Sequence, residues 1–285
     1  MLLHKYTTSA GKDIIFNSRI KVNDPYDFND PFEHALHLIE ATPTDVKRSK
    51  FKNKDEMRFV YDNLRKKGMT SGWKDFWHEV SDPAHRDKKA WEVTPDLNRD
   101  LKKIFCVLKK GDVTKYFYIA CFCSESEKKA DEILMWAHYT QGQKGLRFWL
   151  DSEILNRRIL GEFTKVHYQE HMPIIYAKDV LSRSEKDIMQ AHEISLKSKS
   201  KVWEYEKEYR WTIHEKFCAF DSEAQGHFVR IDLAAVTRID FGIKCDIDVE
   251  NGLVKKISDL GLKIELKKAT QDLTDYKINY LDFLK

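Results

Sequence analysis

Val202-Trp-Glu-Tyr-Glu-Lys-Glu-Tyr-Arg-Trp-Thr-Ile-His214 is the stretch on which the fold turns. Trp203, Tyr205, Tyr209 and Trp211 take odd positions; Glu204, Glu206, Glu208 and Arg210 take even ones. Successive residues of a strand face opposite sides, whereas on a helix residues two apart point nearly opposite ways and both sets would scatter. Extended structure is therefore expected from Tyr205 onward, with Glu206, Glu208 and Arg210 side by side on one face. Neighbouring carboxylates resist joint ionisation, and an arginine beside them offsets part of that cost. On a solvent-exposed strand the same three groups would be an ordinary ion pair of little energetic weight.

Beyond this stretch the last third of the chain continues to alternate. Val229, Ile231 and Leu233 oppose Arg230 and Asp232, and Ile239, Phe241 and Ile243 repeat the pattern. A helix over Val249–Leu260 ends at Gly261, a suitable C-cap, and Ile264 and Leu266 start a further strand, which makes a strand–helix–strand crossover. Upstream, Phe117–Cys123 is an unbroken apolar run fit for a central strand. The loop Ser124–Ala130 leads to a helix through Trp136 and Tyr139. Gly145–Asp151 and Phe163–Tyr168 read as strands, and Ser182–Ser200 as a helix with Ser182 and Glu185 as its capping box. At the N-terminus a strand carries His4 and Tyr6. Near it, Asp30, Pro31 and Glu33 have the chemistry of a helix start, with the helix running from His34 to Ala41. Thr44–Gly111 is highly charged, with apolar residues at three-to-four spacing. The expected whole is one α+β domain over residues 1–285 carrying a helical insertion at 44–111.

Composition excludes several classes. The 49 Lys+Arg nearly cancel the 46 Asp+Glu, and a net charge of +3 gives no general attraction to phosphate backbones or anionic membranes. A local nucleic-acid contact stays open. No apolar run approaches the ~20 residues of a membrane span, and the opening Met-Leu-Leu-His-Lys-Tyr turns polar too early for a secretory signal. Five cysteines without scaffold spacing suit reduced thiols in a cytoplasmic protein. The Cys121-Phe-Cys123 pair has no second pair to complete a metal site, and none is expected.

Five blocks in order along the chain, Leu3-His-Lys-Tyr-Thr-Thr-Ser9, Phe28-Asn-Asp-Pro-Phe-Glu33, Cys121-Phe-Cys-Ser-Glu125, Met135-Trp-Ala-His-Tyr139 with Gly145, and Trp203–Arg210, resemble a large bacterial family known only as a domain of unknown function. The 44–111 helices lie outside that resemblance. An N-terminal histidine strand ending in a Glu-x-Glu segment is in turn similar to the His-Tyr-Glu class of ADP-ribosyltransferases. That resemblance implies split, mostly antiparallel sheets with NAD, as substrate, in the cleft between them. It implies that His4 hydrogen-bonds the adenosine ribose, that Tyr6 lines the same floor, and that Glu208, or else Glu206, holds the nicotinamide ribose. Lys5 separates His4 from Tyr6, where those enzymes often carry His-Tyr directly, and Tyr139 is the alternative stacking ring. Trp136, Ser124 and Arg210 are the further candidates for contact with the nucleotide.

Three classes of function follow. The first is an ADP-ribosyltransferase-like or NAD-glycohydrolase-like enzyme acting on a macromolecule of unknown identity, as a toxin or in defence against phage. The second is a nuclease-like enzyme in which Asp30, Glu206 and Glu208 gather a divalent metal. The third is a non-catalytic module that binds ligands in an aromatic pocket. Residues outside the main blocks have plainer readings: His34 and His37 lack a third metal ligand, and His138 points away from the Trp136–Tyr139 face.

Overall fold

A computed structural model describes residues 1–28, 30, 32–33, 36–70, 72–110, 117–125, 128–159, 161–181, 190 and 193–283. The chain is an α+β protein with mostly antiparallel strands divided among several sheets. It forms two compact units, one of Met1–Asp30, Thr114–Glu170 and Lys199–Lys285, the other of Pro31–Val113 and His171–Ser198.

The first unit is built on an eight-stranded sheet. Its strands are β1 (Leu2–Thr7), β4 (Phe117–Cys123), β5 (Leu146–Asp151), β6 (Gly161–Lys165), β10 (Glu208–His214), β13 (Val236–Phe241), β14 (Glu265–Gln271) and β15 (Ile278–Asp282). Their spatial order is β15-β14-β13-β5-β1-β4-β10-β6. Neighbours are antiparallel except β13 and β14, which run parallel and are joined by α8 (Ile247–Asp259), the crossover a parallel pair requires. Gly261 closes α8 with φ +62°, a value that a side chain would resist. A second, three-stranded sheet contains β11 (Cys218–Asp221), β12 (Gly226–Arg230) and β2 (Arg19–Val22).

Alternation sorts the central strands into two faces. Leu3 of β1, Ala120 and Phe122 of β4, Phe148 and Leu150 of β5, Trp211 and Ile213 of β10, and Ile239 and Phe241 of β13 are buried in one apolar core. That core also takes Ile15 from α1 (Asp13–Phe16), Leu253 from α8, and Ile20 and Val229 from the small sheet. The opposite face carries the intervening residues. Directly opposed residues of an antiparallel pair share a face, and the register opposes His4 to both Cys123 and Trp149, Tyr6 to Arg147, Arg238 to Trp149, Asp240 to Arg147, and Glu208 to Cys123. Five neighbouring strands therefore project a row of polar and aromatic groups to one side.

α6 (Lys129–Tyr139) contributes to that polar side through Trp136 and Met135, which pack on Tyr6 and Cys123. The turn after α6 needs Gly145, since a Cβ there would sit 2.0 Å from the backbone oxygen of Thr7. α7 (Ser152–Asn156) follows β5 with Asp151 as its N-cap. The expected strand Phe163–Tyr168 is two short ones, because β6 ends at Lys165 and β7 (His167–Gln169) pairs with β9 (Ser198–Ser200).

The second unit packs α2 (Pro43–Lys50), α3 (Lys54–Lys66), α4 (Trp73–Glu79) and α5 (Pro83–Lys110) around Val46, Leu64, Phe76 and Leu97. Thr42 and Asp45 form the capping box of α2, and Pro95 lies inside α5 without ending it. Of the helix expected over His34–Ala41, the described residues 36–41 form none. His37–Ile39 is strand β3, paired in parallel with β8 (Ile174–Tyr176), and this long-range pairing overrides the local helix signal. Phe32 and Glu33 form a turn, while Asn29, Pro31 and His34 lie outside the described residues. The Ser182–Glu185 capping box also lies outside them, and the helix expected to reach Ser200 stops at Lys197, where β9 begins. No helix among the described residues is long and apolar enough to cross a membrane.

Candidate functional site

The acidic segment departs from its expected shape in an informative way. Lys201–Glu206 is a 3-10 turn, not strand, and Lys207 adopts the left-handed conformation at φ 48° and ψ 45°. The strand starts only at Glu208. A lysine in this region is strained, since its Cβ crowds the backbone. The kink is held by Ser124, whose backbone N–H donates to the Lys207 oxygen at 3.0 Å, and by Tyr168, whose hydroxyl accepts from Glu208 N at 2.8 Å.

Glu206 and Glu208 are thus brought together by a turn and not by strand alternation. Both are buried, at 3% exposure each, and Lys199 of β9 bridges them with Nζ donating to Glu206 Oε2 at 2.6 Å and to Glu208 Oε2 at 2.8 Å. Arg210 Nε donates to Glu208 Oε1 at 2.7 Å, and the Tyr139 hydroxyl donates to Glu206 Oε1. The two acids end with opposite proton affinities. Burial acts to raise both carboxyls, and for Glu206 burial prevails over Lys199 and Tyr139, so its pKa lies above the ordinary value. For Glu208 the attraction of Arg210 and Lys199 prevails and holds the carboxyl well below it. Paired acids driven apart in this manner are a common basis for dividing proton-transfer and electrostatic roles.

A second network lies on the same sheet face around Arg147, which is 3% exposed. Arg147 Nε donates to Asp240 at 2.7 Å, and its Nη1 donates to the Tyr6 hydroxyl at 3.1 Å and to Glu132. Tyr280 donates its hydroxyl hydrogen to Glu132 at 2.7 Å and accepts from Trp136 Nε1 at 2.8 Å. Asp240, fully buried, also accepts from Trp149 Nε1 at 2.8 Å and from Arg238 Nε at 2.6 Å. Buried charges persist only when paired and hydrogen-bonded, and here each acid has its cation.

Between these networks lies a cavity of about 520 Å³, within the size range of small-molecule sites. His4, Tyr6, Ser124, Trp149, Arg147, Arg238, Tyr280, Glu132 and Glu206 are among its lining residues. His4 is 5% exposed, its ring centroid lies 4.8 Å from Trp149 and 5.6 Å from Tyr6, and burial, aided by Arg147 and Arg238, pushes its pKa down to about 3. It is neutral at pH 7. Its Nδ1 is shielded from solvent and has no hydrogen-bond partner. A buried polar atom left unmet carries its desolvation cost, and here it belongs to a ring on the lining of the cavity.

Four of the eight sequence candidates line this cavity: His4, Tyr6, Ser124 and Glu206. Glu208, the first-choice acid, is outside its lining, paired with Arg210 and Lys199; Arg210 lies with it, its guanidinium 5.2 Å from the Phe28 ring centroid. Trp136 is fully buried beneath Tyr6, with ring centroids 5.4 Å apart, so it is core and no stacking platform. Tyr139 serves Glu206 through its hydroxyl. His138, expected to be incidental, ties α6 to the 3-10 turn through a 2.9 Å bond between Nδ1 and the Tyr205 hydroxyl. Among the described residues no three His, Cys, Asp or Glu side chains gather as a metal site, so the Asp30–Glu206–Glu208 metal set is not assembled; the Lys199 ammonium occupies the position between the two glutamates. Lys199, Arg147, Trp149, Arg238, Asp240 and Tyr280 were not singled out by sequence. The available signal was the polar residue at every second position of β5 and β13.

A family model described as a protein of unknown function, DUF2971, matches residues 135–211. The match takes in the Met135–Tyr139 and Trp203–Arg210 blocks, β5, Lys199 and both glutamates. The Leu3–Ser9, Phe28–Glu33 and Cys121–Glu125 blocks lie outside it. No curated protein and no solved structure matches the chain.

Proposed function

We propose that the cavity on the His4 face binds a nucleotide and that the protein cleaves its N-glycosidic bond, with NAD as the substrate and water or a macromolecule as acceptor. The observation that carries this reading is the cavity of about 520 Å³ on whose lining the neutral His4 ring, the Tyr6 and Trp149 rings, Arg147, Arg238 and the Glu206 carboxyl meet. The polar lining suits ribose hydroxyls, and the rings of Tyr6 and Trp149 suit a planar base.

Breaking the bond between ribose C1′ and nicotinamide sends the electron pair to the ring nitrogen, and positive charge develops on the ribose. Among the acids of the lining, Glu206, held by Lys199 and Tyr139, is the one assigned to oppose that charge. The acceptor oxygen then attacks C1′ and loses a proton, and Glu206, with its raised proton affinity, takes it. Glu208 stays ionised beneath, fixing Lys199. Activity therefore rises with pH through the Glu206 pKa, above the ordinary carboxylate range.

The test is release of nicotinamide from labelled NAD by purified protein, with cell lysate as acceptor source. Wild type is expected to release it and Glu206→Gln to fall to the blank. Wild type at the blank, or equal release by the two proteins, contradicts the reading.

A further inference from the structure

The two arginines of the cavity share one anchor. One carboxylate oxygen of Asp240 accepts from Arg147 Nε and Trp149 Nε1, and the other from Arg238 Nε. Both guanidiniums also lie against the same two rings: Arg147 is 4.9 Å from Trp149 and 4.5 Å from Tyr280, and Arg238 is 5.2 Å from each. Arg147 is thus held through Nε and Nη1, the latter by Tyr6 and Glu132, and Arg238 through Nε. Arg147 Nη2 and both Nη atoms of Arg238 donate to no described residue.

We infer that the Arg147–Arg238 pair is a subsite for a phosphate or diphosphate group, which makes the ligand a phosphorylated nucleotide and not a free nucleoside. The inference rests on the reading of this cavity as a nucleotide site. The planar N–H fork of Arg238 matches phosphate oxygens in a pair, and Arg147 Nη2 adds a third donor. Fixing them in advance through Asp240, Trp149 and Tyr280 removes most of the ordering cost of binding. The subsite is not an open positive trap, because Asp240 and Glu132 balance the two guanidiniums. Selection therefore comes from aimed donors, at short range. Asp240, which touches no ligand in this scheme, is a positioning residue.

Calorimetric titration with ADP, adenosine and inorganic pyrophosphate tests this. Wild type should bind ADP on the order of tenfold or more tighter than adenosine, the gain expected for charge-assisted donors, and should bind pyrophosphate. Arg238→Gln should reduce ADP to the level of adenosine and leave adenosine itself unchanged, while Arg238→Lys, which keeps the charge and loses the fork, should restore part of the difference. Equal affinity for ADP and adenosine in wild type overturns the inference, and needs no variant to be folded. So does an ADP preference that survives in Arg238→Gln. ADP preference without nicotinamide release leaves the subsite standing and removes the glycosidic reading; release without ADP preference does the reverse.

Discussion

Replacing His4 by glutamine keeps a donor and an acceptor of similar reach and removes one titration. In the folded protein burial holds His4 at about 3, against an ordinary value of 6.5. The unfolded chain therefore binds a proton that the folded one refuses. The sign follows directly: the contribution is fully present above pH 6.5 and is lost as pH falls toward 3. Between pH 7 and pH 5 the loss is about 1.5 pH units at roughly 1.4 kcal/mol each, or about 2 kcal/mol. Urea denaturation of wild type and His4→Gln at pH 7, 6 and 5 measures it, the slope m serving as a check that the exposed area is unchanged. Wild type should lose about 2 kcal/mol more than the variant over that span. Parallel pH dependence in the two proteins would mean that His4 titrates normally in the fold. The neutral ring on the cavity lining would then be gone, and the nucleotide reading with it.

Lys199→Met should destabilise the protein by about 3–5 kcal/mol, since two buried carboxylates lose a shared counter-charge; a urea midpoint within error of wild type refutes the bridge. Lys207→Gly should be neutral or stabilising by up to about 1–2 kcal/mol, because glycine accepts the left-handed conformation, while Lys207→Val should unfold at lower urea; equal effects of the two would place Lys207 in an ordinary conformation. Trp136→Phe removes the donor to Tyr280 and should cost about 1–3 kcal/mol, read as a lower Tm; no change in Tm would contradict the buried Trp136–Tyr280–Glu132 chain.

The strands were legible where one face is apolar. Trp211 and Ile213 of β10, Ile239 and Phe241 of β13, and the run around Phe122 all declared themselves by alternation or continuity, and Gly261 marked the end of α8. The 3-10 turn was hidden because an alternating pattern cannot report a left-handed lysine; Tyr205–Lys207 continue the alternation in letters though not in space. The β3 strand was hidden for a different reason, since its pairing with β8 lies far along the chain. At the site, His4, Tyr6, Ser124 and Glu206 were found from local blocks. Arg147, Trp149, Arg238 and Asp240 were not, because on paper Leu146–Asp151 and Val236–Phe241 look like strands with a wet side. Only the order β13-β5-β1-β4-β10 shows that their polar sides are joined, with Arg147 and Asp240 buried and Trp149 and Arg238 half-buried.

A crystal structure with a non-cleavable NAD analogue tests the placement of the site most directly. The analogue should lie in the 520 Å³ cavity with its adenosine ribose against the His4 ring, the diphosphate at Arg147 and Arg238, and the nicotinamide ribose facing Glu206. Density for the analogue elsewhere on the protein, with ordered water alone against His4, would contradict it.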